Sequence, residues 1–237
     1  MTHPPTAHAA VPDVAPAGGE PGRGGAPGRC TPALGFAVLT PLYDVVVALL
    51  GFGTKFQANV AREAALEPGE RVLDLGCGTG TLLAQLVAAQ PQAQLTGVDP
   101  DPAVLARAAR RLAGAPVPVT LLRAGAQALP LPEDSVDVVV STLVFHHLPD
   151  PVKDAAVAEV RRVLTQGGRF LLVDFGPARD ALTGALVRLG SLFDGRANMR
   201  AQLAGELPAL LARHGFTVSA ARPPGRAVHH LLAVPPA

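Results

Sequence analysis

Apolar residues along the chain fall into short runs that alternate between two periods. Arg71–Leu75 (RVLDL), Gln94–Asp99 (QLTGVD), Val117–Arg123, Val136–Ser141 (VDVVVS) and Arg169–Phe175 (RFLLVDF) have the length and branched content of strands. The continuous valines of the fourth run suit a strand buried on both faces. Helical stretches lie between them. Gly80–Gln90 gathers its leucines on one side. Asp101–Ala113 opens with Asp101 as an N-cap and Pro102 in the first turn. Pro151–Leu164 repeats that device with Asp150, and Gly167 reads as its stop. Strands alternating with helices predict βαβ units and a parallel sheet covered on both faces. The end of the chain differs. After a helical Leu207–His214, Phe216–Ala221 and Ala227–Val234 read as two strands joined by a Pro-Gly turn, an antiparallel hairpin at one edge of the sheet. The expected fold class is α/β: seven strands, mostly parallel, with helices on both faces.

The first part of the chain breaks this pattern. Residues 1–32 are rich in Pro, Gly and Ala and hold almost no large apolar side chains. Such a segment cannot offset its ordering entropy, so a disordered leader is expected. Residues 33–53 (ALGFAVLTPLYDVVVALLGFG) are long and apolar enough to require a membrane test. Pro41 and Asp44 sit near the centre, and a carboxylate there costs roughly 2.5–3.5 kcal/mol in a bilayer. The expectation is no membrane span. Residues 33–66 are read as helices packed on a main domain at 67–237.

Composition narrows the function classes. The chain has 237 residues, 49% of them hydrophobic, and a formal net charge of +1. No basic run is present, which disfavours nucleic acid as an electrostatically captured partner. Cys30 and Cys77 stand in unrelated contexts, so neither a disulfide framework nor a cysteine metal site is expected. No secretory signal is visible, and a cytoplasmic setting fits. The sequence leaves the oligomeric state open.

The chemistry begins where the first strand runs into Gly76-Cys77-Gly78-Thr79-Gly80 and then a helix. The glycines permit a tight turn and close approach to a ligand. Asp99 ends the next strand, where an acid in this fold class reaches ribose hydroxyls. A dinucleotide fingerprint would be GxGxxG, aimed at a pyrophosphate. Here the spacing is GxGxG, and Asp74 precedes it. A carboxylate so close would repel a pyrophosphate and suit a ligand carrying positive charge. No Lys-Ser/Thr pair follows the last glycine, which excludes a P-loop.

VLDLGCGTG followed by GVDP resembles the first two motifs of class I S-adenosylmethionine-dependent methyltransferases, whose domain is Rossmann-like. The resemblance continues through Gly125–Pro132 (GAQALPLP), Asp137–Ser141, Phe145-His146-His147-Leu148 and Gly167–Val173, and spans roughly residues 40–234. It is nearest the UbiE-like, small-molecule subgroup, and Pro41-Leu42-Tyr43-Asp44 is similar to that subgroup's cofactor-covering element. The resemblance implies S-adenosylmethionine as cofactor. Asp74 and the backbone of Gly76, Cys77, Gly78 and Gly80 would hold its methionine part, and Asp99 its ribose. Pro100 and Asp101 would border the adenine, and Gly125, Ala126 and Gln127 would form its other wall. Tyr43 would close over the cofactor, and Ser141 would also contact it. The family usually has an acid where Ala126 stands. Gln127 is the residue available to replace it.

The sulfonium of that cofactor already activates the methyl group, so the protein has mainly to align a nucleophile and exclude water. His146 and His147 are the candidate bases, needed only if the nucleophile carries a proton of high pKa. Asp174 faces the same cleft, and Arg188–Arg200 lies where the family builds a lid. Arg196 and Arg200 are read as solvated by default, and His229 and His230 as structural. No metal site is expected. The reading is methyl transfer to a small-molecule acceptor. Against it stand a non-catalytic S-adenosylmethionine-binding protein and a nicotinamide-dependent oxidoreductase.

Overall fold

The computed structural model describes residues 52–185, 187, 196–222, 225 and 227–236. Residues 1–51, which include the expected leader and Tyr43, lie outside that range, as does the body of the 188–195 segment.

Seven strands form one sheet: β1 (Arg71–Leu75), β2 (Gln94–Asp99), β3 (Val119–Arg123), β4 (Val136–Thr142), β5 (Leu164–Phe175), β6 (Thr217–Ala220) and β7 (Val228–Val234). Their order is β3-β2-β1-β4-β5-β7-β6. The first five pair in parallel, while β7 is antiparallel to both β5 and β6. The hairpin foreseen at one edge is present, with its second strand inserted between β5 and β6. Among the described residues the helices that accompany the sheet include α1 (Thr54–Glu63), α2 (Thr81–Ala89), α3 (Pro102–Leu112), α4 (Asp150–Val163), α5 (Arg196–Leu203) and α6 (Leu207–Arg213). No helix among the described residues is long and apolar enough to cross a membrane.

Strand alternation divides the core into two layers. Leu73, Leu75, Val139, Phe170, Leu172 and Leu231 pack with Phe145 and with residues of α4 and α6. Val72, Val138, Val140, Leu171, Val173 and Val228 pack with residues of α1, α2 and α3. The same alternation sends Asp74 toward the α1–α3 layer and Asp174 toward the other.

Local chemistry explains the element ends. Asp101 caps α3 by accepting from the Ala103 N–H at 2.8 Å, as its sequence position implies. Two expectations around α4 need correction. Asp150 lies inside the first turn, and its carboxylate accepts from Lys153 Nζ at 2.8 Å instead of capping the helix. Gly167 does not end α4. The helix passes directly into β5 at Leu164, and Gly167, at φ +81°, lies inside that strand. The β4–β5 register jumps there: Leu164 pairs with Val136, but the next pairing is Arg169 with Val138. The glycine therefore serves a strand irregularity.

Arg169 fastens α1 to the sheet. Its guanidinium bonds the carbonyls of Ala64 and Ala65 and the Glu70 carboxylate, at 2.6–3.3 Å. A second fastener is the buried pair of His230 Nδ1 and Glu63 Oε2, 2.7 Å apart, which joins α1 to β7.

Candidate active site

The site forms where β1, β2, β4 and β5 end. Gly76, Gly78 and Gly80 all have positive φ, which glycine alone adopts without strain. Each has a different neighbour. A Cβ on Gly76 would strike the Val144 side chain, and one on Gly80 would press on Ala108 of α3 at 3.0 Å. Among the described residues a Cβ on Gly78 would meet nothing within 4 Å, so the open side of the loop is there. Thus one glycine admits the loop after β4, one admits α3, and the middle one faces the cleft. From the other side Arg111 clasps the loop, bonding the Thr79 carbonyl, Thr79 Oγ1 and Thr81 Oγ1. Arg111 carries no local signal of this role, since it comes from α3, one βα unit further along the chain.

Two acids face each other across this loop. Asp99 accepts from the Gly78 N–H at 3.0 Å and from the Asp101 N–H at 2.9 Å. Burial pushes its pKa up, against the lowering effect of those two bonds. Asp74 is buried, and its Oδ2 has no hydrogen-bond partner among the described residues. Burial first, and the nearby Asp99 second, push it to about 8. An orphaned carboxylate oxygen beside a second acid is a site that a cation would relieve. The residues present therefore fit a ligand that pairs a ribose diol with a positively charged arm.

Other expected contacts resolve differently. The Cys77 side chain points beneath the loop, against Gly97, where a Cβ would sit 2.9 Å from its sulfur. Burial raises its pKa well above that of an ordinary thiol. Its N–H and that of Gly76 both donate to the Val98 carbonyl. Ser141 is wholly buried and spends its hydroxyl proton on the Leu75 carbonyl at 3.0 Å, tying β4 to β1 instead of entering the cleft. Pro100 is exposed next to Asp99. The Ala126 side chain, 9% exposed, sits in the core cluster with Leu75, Val98 and Leu129. Gly125 is half-buried and Gln127 exposed. The Gln127 amide folds back to within 2.6 Å of where a Gly125 Cβ would stand. A side chain at 126 is thus directed into the core, which corrects the assignment of the adenine-facing position to that residue. Arg200 is exposed.

The two histidines occupy one tight turn after β4. Leu143, at φ +57°, donates its N–H to Val173, and Val144 leans on Gly76. Phe145 is buried in the core, which pins the turn from below. His146 and His147 stack with centroids 3.9 Å apart. His146 Nδ1 lies 2.8 Å from Asp174 Oδ1, and its backbone N–H also reaches that carboxylate. Burial works to raise the Asp174 pKa, but the His146 ring and the Phe175 N–H outweigh it and hold the group below its ordinary value. Burial, with His146 adding to it, lowers His147 to about 3. Asn198 of α5 donates to the His147 carbonyl, and Lys153 Nζ holds the Asn198 carbonyl at 2.6 Å, so α5 is fixed over this turn. One helical turn beyond Asn198, Gln202 is 0% exposed, and neither its Nε2 nor its Oε1 has a partner among the described residues.

Comparison with known proteins agrees with this geometry. Residues 72–168 match a family model described as a methyltransferase domain. A demethylmenaquinone methyltransferase from Thermus thermophilus is 35% identical over 156 residues, covering 65% of this chain and 70% of that protein. The chain belongs to the class I S-adenosylmethionine-dependent methyltransferases. A ubiquinone/menaquinone biosynthesis C-methyltransferase from Syntrophotalea carbinolica is 33% identical, with 68% of each chain covered. Among solved structures, the YcgJ protein from Bacillus subtilis aligns with a TM-score of 0.60 at 28% identity, covering 71% of each chain. An S-adenosylmethionine-dependent methyltransferase from Aquifex aeolicus shares the fold at a TM-score of 0.58 and 22% identity, covering 75% of this chain and 88% of its own. The methyltransferase is thus an enzyme on a Rossmann-like sheet with S-adenosylmethionine as its cofactor.

Proposed function

We propose that this methyltransferase transfers the methyl group to a small-molecule acceptor through an oxygen, nitrogen or carbon nucleophile. The observation that carries the assignment of the cleft is the unpartnered Asp74 oxygen beside Asp99 and the glycine loop. Asp74 would take the ammonium of the cofactor's methionine arm, and Asp99 the ribose diol, with Gly78 leaving room for close approach. Gln127 would read the adenine edge. The cofactor supplies an electrophilic methyl group on a sulfonium. The small-molecule acceptor is supported by the quinone-pathway relatives and by the lack of any basic run. A cytoplasmic setting suits Cys77, a buried free thiol. Incubation with methyl-labelled cofactor and fractionated cell metabolites tests the reading. A labelled small product supports it, and label found only in macromolecules refutes it.

The Asp74 site carries a pH signature. With a pKa of about 8, Asp74 is mostly protonated at pH 7 before the cofactor arrives. Pairing with an ammonium requires the carboxylate, so binding lowers that pKa and releases a proton. Affinity should therefore fall as pH drops below about 8, by up to tenfold per unit. Calorimetry at pH 7 in buffers of different ionisation enthalpy should show close to one proton released. Asp74→Asn should abolish the release. Binding with no proton exchange in the native protein would remove Asp74 from the cofactor site.

A further inference from the structure

We propose that His146 is the base that takes the acceptor's proton, set in the required tautomer by Asp174, and that the acceptor's nucleophile therefore carries a proton: a hydroxyl, or a carbon activated by one. This rests on the methyl-transfer reading above. An ionised carboxylate only accepts hydrogen bonds, so the 2.8 Å contact requires Nδ1 to be the protonated nitrogen of His146. In the neutral ring the lone pair is then on Nε2, and no described residue bonds that atom. The ring cannot easily turn away. It is 4% exposed, stacked on His147, and met edge-on by Phe175 at 4.9 Å. The turn that holds it abuts the glycine loop through Val144 and Gly76, which sets the base beside the methyl donor's cradle.

The pairing also separates the two histidines. Burial, with His146 adding to it, makes His147 a very weak base. It serves as a stacking wall whose carbonyl anchors α5. Gln202, on the face of α5 that Asn198 turns toward this region, offers an unpaired donor and acceptor together. A hydroxyl or carbonyl on the acceptor satisfies such an amide.

The step balances without a further reactant. The acceptor's proton passes to Nε2 while its electron pair forms a bond to the methyl carbon. The methyl–sulfur bond breaks, and its pair stays on the sulfur. One positive charge leaves the sulfonium and one appears on the imidazolium, where the Asp174 carboxylate meets it. Asp174 touches no reacting atom and is a positioning residue.

Two readouts test this, and calorimetry with S-adenosylhomocysteine accompanies both. In nitrogen-15 spectra of the protein bound to S-adenosylhomocysteine, His146 should show a protonated Nδ1 and a bare Nε2. His146→Gln should delete that pattern, and Asp174→Asn should move the Nδ1 resonance. The acceptor probe is 1,4-naphthohydroquinone with methyl-labelled cofactor. His146→Gln should lose about 10²–10⁴ in kcat with S-adenosylhomocysteine affinity unchanged. A protonated Nε2 on neutral His146 overturns the proposal, as does turnover by His146→Gln equal to that of the native enzyme. If the native enzyme does not methylate the probe, the tautomer decides alone. Failure of the native protein to bind S-adenosylhomocysteine would instead refute the methyl-transfer reading.

Discussion

Replacing Asp99 with alanine is expected to weaken cofactor binding by about 10²–10⁴-fold, from two charge-assisted hydrogen bonds at roughly 1.5–3 kcal/mol each. Two losses combine. The first is the pair of bonds the carboxylate would make to the ribose. The second is internal: Asp99 holds the Gly78 and Asp101 N–H groups, so it shapes the loop that the ligand must meet. Asp99→Asn separates them, because its single carbonyl oxygen can hold one N–H but not both sets of partners. It should fall between the native protein and the alanine variant. Titration calorimetry with S-adenosylhomocysteine measures all three. A loss smaller than about threefold for Asp99→Ala would show that the acid supports the loop only.

The second large effect concerns Ala126, where sequence and structure suggest opposite outcomes. Read from sequence, Ala126→Asp restores an absent adenine contact and tightens binding. In the structure that side chain lies among Leu75, Val98 and Leu129. A carboxyl group there has no partner, at a cost of about 1–3 kcal/mol even when protonated. For a chain of this size that lowers Tm by roughly 2–12 °C. Thermal unfolding should show the loss, with no gain in affinity. Gly125→Asp is the informative counterpart. Its Cβ would displace only the flexible end of Gln127. Affinity should rise by about five- to thirtyfold if the adenine amino group is within reach. A stable Ala126→Asp that binds more tightly would mean that residue 126 faces the ligand after all.

These two residues show which kinds of information a sequence carries. The ends of β2 match expectation residue for residue, because Gln94 and Asp99 bracket its apolar run. The glycine loop was legible as a turn because its three glycines stand within five residues, between a strand and a helix. Ala126 was misassigned because the direction of a loop side chain depends on what packs beneath it. Gly167 was misread because a positive-φ glycine ends a helix or relieves a strand, and the choice is made by pairing with Val136 and Val138. The His146–Asp174 pair was invisible as a pair. Both residues were candidates, but their meeting depends on the β4–β5 register and on the left-handed turn at Leu143. Gln202 and the Glu63–His230 bond carry no local signal, since each takes its meaning from a partner far along the chain or from the absence of one.

The placement of β7 sets an order of events in biosynthesis. β6 is made before β7 yet touches the sheet only through it, so β6 stays unattached until its partner strand has been synthesised. β7 brings His230, whose bond to Glu63 spans 167 residues of chain. Contacts that distant in sequence form late, because closing the loop must precede the reward. The first described helix is thus secured on this side only after nearly the last strand has docked. A ribosome-bound chain lacking β7 can complete the glycine loop and Asp99, but not the wall that α1 builds against His230. Competence to bind the cofactor tightly should therefore emerge only once β7 has been synthesised and docked.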